Sequence, residues 1–216
     1  MKKIINLVLK LKERFWPDRK FREARIWSNN ELSKIAHLFS GDIINVSGWM
    51  DSDKRGGFYR NYFTNAKSYS ISNYEGHMGY QGGEIKLDLE KELPPDLANK
   101  YDVVFNHTTL EHIYRIETAF KNLCLMTRDT VIVVVPFLQQ MHFDEESLSY
   151  KDYWRFTPYA LKRMFEDNNM EMVYCVGDTS NDHSIYVLAV GSKNPSKWKI
   201  EYDKDVFNHL GDKIIK

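Results

Sequence analysis

Thr130–Pro136 reads TVIVVVP, and Val131–Val135 are five consecutive β-branched residues. A run that is apolar at every position, rather than at every second one, suits a strand buried on both faces. That is the habit of parallel sheets covered by helices on either side. Working outward, the same arrangement recurs. Upstream, Asp102–Asn106 (DVVFN) is another continuous apolar run, and Leu110–Met126 between the two carries Ile113, Ile116, Phe120 and Leu123 at helical spacing. Asp42–Ser47 (DIINVS), Ser68–Ser72 (SYSIS) and Glu84–Leu89 (EIKLDL) predict three further strands, and Phe58, Tyr59, Tyr62 and Phe63 fall at helical spacing after the first. Downstream, Thr157-Pro158 predicts an N-cap followed by Pro in the first helical position, with a helix running to about Asn168. Met172–Val176 and Ser184–Val190 close the series as strands. Strand–helix alternation of this kind predicts an α/β, doubly wound, mostly parallel sheet with helices on both faces. Residues 1–39 read as a basic helical extension, 40–193 as the domain proper and 194–216 as a tail.

Composition narrows the function. The chain has 216 residues, 30 Lys+Arg against 30 Asp+Glu, and 43% hydrophobic residues, which excludes a disordered or collagen-like chain. Two cysteines, Cys124 and Cys175, each in an apolar stretch, suit a reduced cytoplasmic protein better than a disulfide scaffold. No apolar run approaches the roughly 20 residues that span a bilayer. The zero net charge hides a segregation. Residues 1–25 hold nine basic against three acidic residues, +6, and the rest holds 21 against 27, −6. Met1–Leu11 imitates the start of a signal peptide, but Asn6 and Lys10 interrupt it and no small-residue cleavage site follows, so it is read as retained. Ile4, Leu7, Val8, Leu11 and Phe15 share one face of an amphipathic basic helix. Two readings stay open: packing on the chain's own domain or a homodimer partner, and peripheral contact with the anionic inner face of the membrane. Basic residues interleave with aromatics in Phe15–Trp27, but without a basic domain behind them no nucleic-acid partner is expected.

Asp102–Ile113, DVVFNHTTLEHI, resembles the fourth-strand motif of class I S-adenosylmethionine-dependent methyltransferases, and Thr130–Pro136 matches the apolar strand that follows it there. Asp152–Leu161, DYWRFTPYAL, is similar to a segment of methyltransferases associated with bacterial surface-glycan synthesis. The resemblance implies a Rossmann-like methyltransferase sheet, S-adenosylmethionine as cofactor, and O-methylation of a sugar or glycan-related acceptor in cell-surface polysaccharide synthesis. It places the cofactor against Asn45, Ser47, Gly48 and Trp49 after the first strand, Ser72 and Asn73 after the second, Asp88 and Leu89 after the third, and Asn106 and His107 after the fourth. Two positions depart from the family pattern. The Gly-x-Gly-x-Gly loop keeps one glycine, Gly48, and the acidic residue that would hold the ribose is replaced by Ser72-Asn73. Those departures support a second reading, a methyltransferase-like domain that binds or scaffolds without catalysing.

Methylating a hydroxyl needs a group that takes its proton. The strand-end loops offer His112 and His142 as catalytic candidates, with Glu111, Tyr153, Trp154 and Arg155 as acceptor-binding residues. Aromatic faces stack on sugar rings, and Arg holds a phosphate bidentately. The positive end of the helix opening at Leu110 is expected to keep His112 neutral. His142 lies in the polar stretch 139–153 with Asp144, Glu145 and Glu146, but the spacing matches no established ligand set, and no metal is expected.

Overall fold

The computed structural model describes residues 19–74, 83–143, 150–179 and 185–198. The amphipathic stretch Ile4–Phe15, the acidic trio Asp144, Glu145 and Glu146, and the tail beyond Trp198 lie outside the described residues. The chain runs α1 (Arg19–Ile35), β1 (Ser40–Val46), β2 (Asn65–Asn73), β3 (Ile85–Lys86), β4 (Tyr101–His107), α2 (Ile116–Met126), β5 (Thr127–Leu138), α3 (Pro158–Glu166), β6 (Glu171–Gly177) and β7 (Ile185–Ser192). The strands form one sheet in the order β3-β2-β1-β4-β5-β7-β6. β1 through β5 are parallel, and β7 enters antiparallel between β5 and β6. The sheet is Rossmann-like, with the topology of class I methyltransferases.

The continuous apolar reading of Val131–Val135 has its cause in the two cores. Val131, Val133 and Val135 enter a cluster with Ile44, Val104, Phe120, Leu123, Leu161 and Phe165. Ile132 and Val134 point to the other face, against Leu32, Phe39, Ile43, Phe105 and Leu188. Each side chain of the run is fully buried, so alternation has nothing polar to mark. α3 sits so close to β7 that a Cβ on Gly191 would lie 2.3 Å from the Phe165 ring.

Three elements differ from the sequence expectation. Glu84–Leu89 shortens to the two-residue edge strand β3, while Leu87 and Leu89 turn inward as core. The aromatics around Phe58–Phe63 form a single 3-10 turn, Tyr59–Asn61, instead of a helix. The helix expected over Leu110–Met126 is split into a 3-10 turn, Leu110–His112, and α2. The split has identifiable hydrogen bonds behind it. The Glu111 carbonyl accepts from the Tyr153 and Trp154 amides at 2.7 and 3.3 Å, and the Arg115 amide donates to Glu90 Oε1 at 2.9 Å. An unbroken helix would have joined that carbonyl to that amide. The same segment holds the Trp154 indole, which donates to the Ile113 carbonyl at 2.9 Å.

Candidate functional site

In a doubly wound sheet the ligand crevice lies at the carboxyl ends of the strands. The loop after β1 comes first. Ser47, Trp49 and Asp51 all have left-handed backbone, at φ 56°, 46° and 59°. These are alternate positions, and Gly48, the one glycine of the loop, lies between two of them without a left-handed φ. Left-handed backbone at three residues that carry side chains costs about 1–2 kcal/mol per residue before compensation. Asp51 supplies the compensation. Fully buried, it accepts from Asn45 Nδ2 at 2.8 Å, Tyr69 Oη at 2.8 Å, and Arg60 N and Nε at 3.0 and 3.1 Å. The Asn73 side chain closes the loop from β2, accepting from Trp49 N at 2.7 Å and donating to its carbonyl at 3.0 Å. Asn73 is therefore committed to the loop, where the sequence reading had placed it against a ribose. Gly48 lies against Asn45. Ser72 Oγ and Asn106 Oδ1, at the ends of β2 and β4, are buried with no hydrogen-bond partner among the described residues. Asp88, after β3, accepts from the Glu90 amide at 3.0 Å and pairs with Lys91 at 3.2 Å. Leu89, expected to line the cofactor, is buried in the core cluster.

His107 is tied to α1. Arg25 Nη1 donates to its Nδ1 at 2.6 Å, so its Nε2 carries the proton and donates to Ser28 Oγ at 3.0 Å; that hydroxyl in turn donates to the Arg25 carbonyl. Arg25 also reaches Tyr59 Oη at 3.0 Å and Thr108 Oγ1 at 2.8 Å. Burial, reinforced by the Arg25 charge, holds the His107 pKa well below the usual imidazole range. Arg25 is a site residue that the sequence reading left in the basic arm. Nothing in a run of basic residues singles it out, because only the packing of α1 brings it to β4.

On the other side of β4, Glu111 and His112 sit in the 3-10 turn. Glu111 is 1% exposed, and burial pushes its carboxyl up to about 8. His112 is brought down to about 4, chiefly by burial. The expected direction holds, but its cause is corrected: the turn is three residues long and α2 begins only at Ile116, so no helix dipole acts on the ring. His112 Nδ1 donates to the Lys151 carbonyl at 2.7 Å and its Nε2 lies 3.8 Å from Glu111 Oε1. His142 stands edge-on to His112, ring centroids 4.9 Å apart, with its Nδ1 3.1 Å from Asp152 Oδ2. The fold thus brings both catalytic candidates together with Glu111.

Arg155 departs from its expected role. Its Nε and two Nη atoms bind the Gln139, Gln140 and Trp154 carbonyls and both oxygens of Asp152. Those are five acceptors for five N–H groups, so no donor remains for a phosphate. The Trp154 ring is half-buried against the core, whereas Tyr153 is exposed and packs edge-on to Tyr114 at 5.4 Å.

No protein-family model matches the chain, and no curated protein matches it in sequence. Solved structures do resemble it in fold. A magnesium protoporphyrin IX methyltransferase from Synechocystis PCC 6803, solved with S-adenosylmethionine bound, is 12% identical at a TM-score of 0.55, over 83% of this chain and 88% of that one. A 1,6-didemethyltoxoflavin-N1-methyltransferase from Burkholderia thailandensis is 10% identical at 0.54, over 87% and 89%. An S-adenosylmethionine-dependent methyltransferase from Clostridium acetobutylicum is 9% identical at 0.53, over 88% and 98%.

Proposed function

We propose that this chain is an S-adenosylmethionine-dependent methyltransferase acting on a hydroxyl of a sugar or glycan-related acceptor. One observation carries the reading: the seven-stranded sheet, parallel through β5 and antiparallel at β7, shares its fold with solved methyltransferases. Ser72 and Asn106, whose side-chain oxygens lack partners among the described residues, and Asp88 would hold the cofactor. Bound there, the cofactor supplies a methyl group already activated on a sulfonium, so the protein's task is chiefly alignment. His112, held neutral with Nδ1 donating to a carbonyl, offers Nε2 to the acceptor's proton. The exposed Tyr114–Tyr153 pair offers faces on which a sugar ring can stack. The glycan assignment itself rests on the Asp152–Leu161 resemblance. Among the described residues no helix is long and apolar enough to cross a membrane, and we place the protein in the cytoplasm on its two buried thiols.

A second reading, a non-catalytic binding domain, is favoured by the commitment of Asn73 to Trp49. Calorimetric titration with S-adenosylmethionine and with its demethylated product separates the two. Binding that weakens markedly in Asp88→Ala supports the enzyme; no heat from either compound at millimolar concentration leaves only the binding domain.

A further inference from the structure

Glu111 is buried, and neither of its carboxylate oxygens has a hydrogen-bond partner among the described residues. A buried polar group without a partner is costly and needs an explanation. Its neighbours supply one. A ring nitrogen of His112, one of His142 and an oxygen of Glu111 all lie within 4.8 Å of one another. Both rings are held through Nδ1 against carbonyl oxygen, His112 on Lys151 at 2.7 Å and His142 on Gln140 at 3.4 Å, with Asp152 Oδ2 3.1 Å from the latter nitrogen. Asp152 is itself gripped by both terminal nitrogens of Arg155. A histidine whose Nδ1–H is held by a carbonyl or carboxylate presents a fixed Nε2 lone pair, which is how metal-binding imidazoles are oriented.

We propose that Glu111, His112 and His142 form a site for one divalent transition-metal cation of the zinc type, supported by Asp152 and the Lys151 carbonyl. Two imidazoles and one carboxylate are the three-ligand set that leaves a further position open to water or substrate. Magnesium and calcium, which favour all-oxygen shells, do not suit it. The position of the set gives it a use. Glu111 and His112 follow β4 and His142 follows β5, so the cation would stand at the carboxyl ends of the central strands, where an oxygen on its open position loses a proton more readily. Ligand spacing along the chain does not reveal it, because His112 and His142 come from separate loops. Metal binding here does not depend on the methyltransferase reading; with the cation in place the His112 Nε2 lone pair is taken, and an oxygen on the open position loses its proton to solvent rather than to His112.

The test uses full-length protein stripped with a chelator. It is titrated with Zn²⁺ by calorimetry and with Co²⁺ by visible absorption, whose bands report the donor set. One ion per chain is expected, with affinity reduced about tenfold or more in each of Glu111→Gln and His142→Ala, and reduced in Asp152→Asn. Circular dichroism checks that each variant is folded, and His142→Ala, on a partly exposed segment, keeps the test informative if the buried Glu111 variant fails to fold. Uptake below one ion per chain, or uptake unchanged in His142→Ala, overturns the proposal. Titrating S-adenosylmethionine into the same metal-free protein keeps failure of the metal site distinct from failure of the cofactor reading.

Discussion

His107 and Asp51 show at the residue scale how little of this site is free to move. The Arg25–His107–Ser28 chain of hydrogen bonds is consistent only with a neutral imidazole that accepts at Nδ1 and donates at Nε2. Because the folded-state pKa of His107 lies below the unfolded value of about 6.5, the unfolded chain binds the extra proton first. Stability from this group is therefore complete above the unfolded pKa and is lost as pH falls through it. Urea unfolding between pH 7 and 5 should show His107→Gln losing less stability than the parent, by up to about 1.4 kcal/mol per pH unit. Equal slopes would mean that the buried imidazole is not the responsible proton acceptor. Asp51 poses the converse case. Replacing it with Ala strands the Tyr69 hydroxyl and the Asn45 amide in a closed space, so Asp51→Ala should cost about 2–4 kcal/mol in urea unfolding. His107 was legible as a strand-end residue from the sequence. Its partner Arg25 was not, because a charge in a basic run carries no mark of where its helix will dock.

At the scale of elements, local rules worked where the chain answers only to itself. Thr157 caps α3 as its sequence predicts, its hydroxyl accepting from the Ala160 amide at 3.1 Å, and Pro158 takes the first helical position. Thr157→Ala should therefore lower the unfolding free energy by about 1 kcal/mol with the folded far-ultraviolet spectrum unchanged. The same rules failed over Leu110–Met126. Periodicity there is genuine, but the Glu111 carbonyl and Arg115 amide are taken by Tyr153, Trp154 and Glu90, and a one-dimensional pattern cannot report such competitors. The loop after β1 yields a prediction of its own. Gly at positions 47 and 49 relieves left-handed strain while loosening the unfolded chain, two effects of similar size. The double variant Ser47→Gly, Trp49→Gly should change the melting temperature little and bind S-adenosylmethionine more tightly by calorimetry. Weaker binding would mean that the Trp49 side chain is part of the cofactor pocket rather than an obstacle in it.

Across the whole molecule the sheet separates two cores, and the second depends on α1. Leu32 is fully buried in that core with Phe39, Ile43 and Leu188, so Leu32→Ala should cost about 2–5 kcal/mol in denaturant unfolding. Cys124 and Cys175 report on the integrity of the first core. Both are buried, and burial pushes both thiols up to about 12, so a thiol reagent should modify neither until the protein unfolds globally. Fast labelling of the native protein would reveal local opening near α2 or β6. The fold class can be read from the chain alone. Doubly buried strands, helical spacing and an N-cap are written in neighbouring residues, and the energy they record is that of burying a face of each element. What stands at the carboxyl ends of the strands is set by folding in three dimensions. It brought Arg25 to His107 and His142 to His112 and Glu111, committed Asn73 and Arg155 to holding loops, and left the Glu111 carboxyl buried with no partner among the described residues. The physical reason is that a polar group's role is set by which donors and acceptors reach it and how much water remains. Both are properties of segments far apart in the chain that meet only after the sheet has formed.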